Sequence, residues 1–168
     1  MPNTFIKIAS VTVGSGGAAN MEFTSIPQIY KDILIMVSAR GTSNFAGSGY
    51  FMYVRPNGSS SNLSGRYLVG TGSSAVSGTI APYLYMSPSD ATASVFGNGQ
   101  MYFPNYTSSN YKSTSAESVY ENNATGAYQD LSAGLWSDTT AITSITLVPG
   151  GGNFAQYSTA TLYGIKSS

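Results

Sequence analysis

The chain has no cysteine and no histidine among its 168 residues. Lack of cysteine excludes disulfides, thiolate nucleophiles and cysteine-bound zinc. Lack of histidine removes the commonest metal ligand and the usual general base near neutral pH. Charge is scarce as well: seven basic and seven acidic residues cancel, and only 8% of the chain is charged. No basic stripe is present to release phosphate counterions, so nucleic acid is not expected as a partner. The longest apolar run, Ile33 to Val37, is far short of the ~20 residues that cross a bilayer, and no membrane partner is expected. Met1 to Phe5 shows neither a basic n-region nor a long apolar h-region, so no signal peptide is expected.

The remaining acidic residues do not assemble a reaction. Glu117 and Glu121 share a face of an extended segment but stand about 13 Å apart by strand rise, beyond the span of a glycosidase pair. Asp90 and Asp138 sit beside turn residues, where local backbone bonding accounts for them. The glycine clusters at 14–17 and 150–152 have no helix after them and are read as turns, not phosphate cradles. The pattern Asn-X-Ser/Thr at Asn57, Asn62, Asn105 and Asn123 is ordinary in a chain so rich in Ser and Thr. No catalytic, cofactor-binding or metal-ligating residue is expected, and no cofactor.

What is present is a strand vocabulary. Apolar residues make up 42% of the chain, with 13 tyrosines and 19 glycines, and the polar remainder is mostly Ser, Thr and Asn. Such residues favour strands and tight turns over helices. Short apolar runs are separated by Gly- or Ser-rich turns, the rhythm of a sandwich or barrel. Thr4–Val13 reads as a first strand, with 14–17 as the tip of a hairpin returning through Asn20–Ser25. Asp32–Arg40 is apolar on both faces over its first half, the mark of a central strand. Further strands are expected at 50–55, 66–69, 79–86, 93–103, 111–122, 128–136, 141–148 and 156–165. Pro82 places an edge or bulge in one of them, and the glycines at 97 and 99 interrupt another. The fold expected is all-β, essentially without helix: one domain over 1–168, a two-sheet antiparallel β-sandwich, jelly-roll-like, of about ten strands.

Ile33, Ile35, Val37, Leu135, Trp136, Ile145, Leu147 and Leu162 are the expected core. Thr159, Thr161, Tyr163 and Ile165 alternate with Ala160, Leu162 and Gly164, so the last strand is half-buried, and its edge is expected to offer unpaired backbone to another sheet. Tyr50, Tyr53, Tyr83, Tyr85, Tyr106 and Tyr111 lie in or beside polar loops. Together with Asn57 and Asn62 they are candidate contacts to a ligand or partner, because tyrosine gives large contact area at little entropy loss and Asn adaptable hydrogen bonds.

Four stretches carry a resemblance: "FTSIPQIYKDILI" (23–35), "RYLVGTGSS" (66–74), "FPNYTSSNYKSTSAESVYENNAT" (103–125) and "AGLWSDTTAITSITLVPGGGNFAQYSTATLYGIKSS" (133–168). Together they resemble a family of small β-rich virion structural proteins of tailed phages, especially marine phages and cyanophages. Members stand alone or end longer fibre-like proteins. The closing Ser-Thr-Ala-Thr-Leu-Tyr-Gly-Ile is the most specific part. The resemblance implies a virion-surface role without enzymatic activity and transfers no site residue. The expected function is capsid decoration by protein–protein packing. The alternative is a receptor-binding module of a tail fibre or spike that grips a host surface glycan or protein. Expected partners are other virion proteins and further copies of the chain, a trimer being one such homo-oligomer.

Overall fold

The computed structural model of the chain describes residues 4–121 and 126–166; Asn123 lies outside them. The described residues form twelve strands and no helix. They are β1 (Phe5–Thr12), β2 (Met21–Phe23), β3 (Asp32–Ala39), β4 (Phe51–Pro56), β5 (Leu63–Gly70) and β6 (Ala75–Thr79), then β7 (Tyr83–Tyr85), β8 (Gly97–Phe103), β9 (Lys112–Tyr120), β10 (Tyr128–Trp136), β11 (Ile145–Pro149) and β12 (Thr159–Ile165). Eight of them form one antiparallel sheet in the order β1-β12-β3-β8-β9-β10-β5-β6, and four form a second in the order β2-β11-β4-β7. The fold is the expected all-β sandwich of two antiparallel sheets, with two more strands than anticipated.

Period-two alternation sorts the side chains between the layers. Ile33, Ile35 and Val37 of β3, Met101 and Phe103 of β8, and Ala160 and Leu162 of β12 point inward and are buried. Met52 and Val54 of β4 and Ile145 and Leu147 of β11 close over them from the small sheet. A second cluster, Phe51, Val69, Tyr83, Tyr85 and Tyr120, fills the space between the β4–β7 edge and strands β5, β9 and β10. Of the expected core residues, Ile33, Ile35, Val37, Trp136, Ile145, Leu147 and Leu162 are buried, whereas Leu135 is only half-buried. Neighbours on a strand point to opposite faces, so Trp136 and Leu135 cannot both enter the core.

Several segments depart from the sequence expectation. Residues 14–17 do not tip a hairpin: β1 pairs with β12 and β2 with β11, so the chain changes sheets there. The segment 79–86 is not one strand, because the chain leaves the large sheet after β6, crosses at Pro82 and enters the small sheet as β7. Gly97 and Gly99 lie within β8 and do not interrupt it; they admit the Met86 backbone and Ser118, which a Cβ would meet at 2.9 Å and 2.7 Å. Residues 141–144 precede β11 as a loop, held by the Asn57 side chain. The last strand, β12, is no edge: β1 and β3 pair with it on both sides.

The glycines at 150–152 do more than turn. They lie against loop 42–50, and a Cβ on Gly151 would stand 1.9 Å from the Gly47 carbonyl oxygen. Gly151→Ala is therefore expected to lower unfolding free energy by about 2–3 kcal/mol through overpacking. Gly70→Ala, where a Cβ meets nothing within 4 Å, is expected to change it by less than about 0.5 kcal/mol. Urea titration of the two variants reads the difference, and equal effects would remove the packing account.

Candidate interaction surface

The small sheet covers one face of the large sheet, and the opposite face is turned outward. Strand register lays residues out in rows on that outer face. One row runs Leu34, Tyr102, Ser115, Ala133, Arg66; the next runs Met36, Gln100, Glu117, Leu131, Leu68. Met36, Leu68 and Leu131 are 46%, 50% and 54% exposed. Small residues (Gly99 toward one end, Ser115 and Ala133 toward the other) leave hollows between these larger side chains. One of about 310 Å³ lies between Met36, Gln100, Glu117 and Gln129. A second of about 200 Å³ lies between Leu34, Tyr102, Ser115 and Leu131, and a third of about 440 Å³ between Arg66, Leu68, Leu131 and Ala133. The first and second share Gln100 and Glu117, and the second and third share Ser115 and Leu131, so the three make one shallow trough.

Polar groups on this face are held locally. Gln100 Nε2 donates to Glu117 at 2.7 Å. Asp32 accepts from the Tyr102 hydroxyl at 2.7 Å and from the Asn105 N–H at 2.8 Å. The hydrogen bond to Asp32, with burial adding to it, pushes the Tyr102 phenol up to about 12. Tyr102 thus stays neutral and fixed at neutral pH.

A second feature sits where loops 41–50 and 86–96 meet β9 and β10. The Arg40 guanidinium donates to the carbonyls of Ser89, Ala91, Thr92 and Val95 at 2.8–3.0 Å. Asp90 accepts from the Phe45 N–H at 3.0 Å, so the two loops are joined. Phe45 stacks on Tyr50 with centroids 4.2 Å apart and lies 5.7 Å from Tyr128, both rings nearly parallel to it. Phe45, Asp90, Tyr120 and Tyr128 line a hollow of about 240 Å³.

The expected contact residues fall elsewhere. Tyr83, Tyr85 and Tyr106 are buried and cannot meet a ligand in this conformation. Tyr50 and Tyr53 are half-buried against the cluster that contains Tyr83 and Tyr85. These four come together as core, because a strand at the sandwich overhang needs long side chains to fill it. Asn57 is a structural link: its side chain bonds Ala141, Thr143 and Ser144, and its φ of 49° is one asparagine tolerates. Asn62 is exposed at a left-handed turn, φ 60°. Tyr111 is 60% exposed ahead of β9. Phe45, Asp90 and Tyr128, and the outward Met36, Leu68 and Leu131, were not anticipated. In β5, Tyr67 and Val69 alternate with Leu68, so apolar residues on both faces were the signal available.

Buried ionisable groups serve the fold. Lys112 donates to the carbonyls of Thr140 at 2.6 Å and Asp138 at 3.3 Å, and its Nζ lies 5.5 Å from the Trp136 ring. Burial pushes its pKa down. Asp130 accepts from the Tyr83 hydroxyl at 2.7 Å. Among the described residues no three acidic side chains converge on a metal-sized site. The surface thus offers a broad face, a shallow trough and an aromatic hollow. Comparison with protein-family models, with curated proteins and with solved structures finds no match to this chain.

Burial raises the Asp130 pKa above its ordinary 3.8, against the opposing donors Tyr83 and Ser132. A carboxyl with a raised folded pKa favours the folded state below the unfolded value. That contribution is lost as pH rises through the folded value. Asp130→Asn keeps an acceptor for Tyr83 and removes the titration. Its melting temperature relative to the native chain is therefore expected to rise between pH 4 and pH 7. A difference that does not vary with pH would refute this role for Asp130.

Proposed function

We propose that this chain is a non-enzymatic structural protein on the surface of a tailed-phage particle, decorating the capsid, and that it acts by packing its outer sheet face against neighbouring virion proteins. The breadth and low charge of that face carry the proposal. Eight strands at roughly 4.8 Å spacing, over strand lengths of about 20 Å, present roughly 800 Å², the order each partner buries in a standard interface. Lys7, Asp32, Arg66 and Glu117 are the charges that strand register places on it. Leu131 and Leu68 stand side by side on this face, with Met36 across the Gln100–Glu117 pair. Exposed apolar residues grouped within a polar rim mark interaction sites. The resemblance to small phage virion proteins gives the partner class.

A second reading has its own observation. The hollow lined by Phe45, Tyr120, Tyr128 and Asp90 offers aromatic rings to the C–H face of a sugar and a carboxylate to its hydroxyls. In that case the chain is a receptor-binding module for a host surface glycan.

Labelling with antibody-bound gold on intact virions is expected to decorate heads. Added purified protein is expected to rebind particles that lack it, and Leu68→Lys/Leu131→Lys is expected to abolish rebinding while leaving melting temperature within a few degrees. Label confined to tails, with glycan binding lost in Phe45→Ala, would replace the first reading by the second.

A further inference from the structure

The large sheet ends on β1 at one side and β6 at the other. An edge strand presents unpaired N–H and C=O groups, which proteins blunt with charge, proline, a bulge or brevity. β1 carries Lys7, and its pairing with β12 shifts register between Lys7 and Ala9. In the small sheet β2 and β7 have three residues each, and β7 is buried throughout, with Pro82 and Pro88 close on either side. β6 has none of these protections. Ala75-Val76-Ser77-Gly78-Thr79 holds no charge and no proline, pairs with β5 without a shift, and leaves Val76 48% exposed.

The ladder shows which of its backbone groups are unpaired. The Ile80 N–H donates to the Gly65 carbonyl, one step beyond the Thr79–Arg66 pair. Bonded and non-bonded pairs alternate along an antiparallel ladder. Gly78 and Val76 therefore turn their N–H and C=O groups toward β5, while Thr79, Ser77 and Ala75 turn theirs outward.

We propose that a second copy of this chain adds to this edge, β6 to β6 antiparallel, about a two-fold axis through Ser77, so that two large sheets become one. Under that symmetry Ser77 faces its own counterpart and Ala75 faces Thr79, and these are the residues whose backbone groups point outward. Val76 faces Gly78 in the non-bonded pairs, where side chains come closest. The Tyr67 ring lies across Gly78, whose Cβ would meet the phenol oxygen at 2.6 Å. The exposed Val76 of each copy is thus laid beside the other copy's Tyr67, and the contact occurs twice. β6 carries no charge, so self-pairing opposes no like charges. The pairing extends the outer face proposed above as the packing surface and rests on that reading for its place in a particle. Dimerisation in solution tests the edge alone, and rebinding to particles tests the face.

The absence of cysteine allows a clean experiment. Ser77→Cys treated with a short bis-maleimide is expected to give a covalent dimer, and Ser109→Cys, on an exposed loop, is not. In sedimentation the native chain is expected to dimerise with rising concentration. Ser77→Pro is expected to weaken this about tenfold or more without loss of melting temperature, because the Ser77 N–H makes no bond to β5 and an outward edge position tolerates proline. Val76→Lys is expected to do the same, and it decides the matter if the proline variant does not fold. A native chain monomeric up to its solubility limit, or a dimer that both substitutions leave intact, would overturn the proposal.

Discussion

An eight-stranded sheet covered on one face by four strands sets the terms for the whole molecule. Side chains alternate along each strand, so half of the large sheet's residues must enter a core that the small sheet is too narrow to close. Over β12, β3 and β8 the cover is complete, and residues such as Ile35, Leu162, Met101 and Phe103 fill it. Toward β10 and β5 the small sheet thins to the three residues of β7, and tyrosines take over. A tyrosine ring reaches farther than an aliphatic side chain and keeps its hydroxyl at a polar partner. Tyr83 bonded to Asp130 is that arrangement inside the protein. The opposite face, left without a cover, becomes the surface available to a neighbour.

With so few charges, the loops are fastened by backbone and hydroxyl contacts. Arg40 is the main exception. Its guanidinium gathers four carbonyls of the segment after β7 and so gives that loop a fixed shape. Across the same end, Gly47 and Gly49 approach Gly151 and Ser43 more closely than any side chain permits. These contacts hold Phe45 and Asp90 at the mouth of the aromatic hollow. Rigid loops on a sandwich suit recognition by shape.

The strand pattern was legible wherever one face is buried. Thr159–Ile165 alternates as a half-covered strand must, and its inward Ala160, Leu162 and Gly164 are the buried ones. Asp32–Ala39 is apolar on both faces but buries only the inward set. Tyr128–Trp136 buries Asp130 and Trp136, while its leucines face outward or stay half-buried. β6 was missed because an edge strand covered by nothing leaves no alternation to read. Tyr83 and Tyr85 fall in the expected strand 79–86 beside polar loops, where Pro82 suggests only an edge or bulge. The sheet crossing at Pro82 and the burial of both rings were not legible there. Proximity to Trp136 suggests a core place for Leu135, but the two-residue period sends it the other way. The amide chemistry of Asn57 and Asn62 suggests contacts, while their left-handed backbone shows a conformational reason for asparagine.

Composition and periodicity by themselves determined an all-β chain, its strand-rich order and its independence of thiol and imidazole chemistry. Those properties depend on residue type and on neighbours one or two positions away. Which strands are edges, which tyrosines are core, and which apolar residues are left on the outer face depend on pairings between distant segments. β12 shows the difference: its alternation is local, but its place between β1 and β3 is set by register with residues more than a hundred positions earlier. Only the tertiary structure could decide that the last strand is interior and that β6 is the open edge.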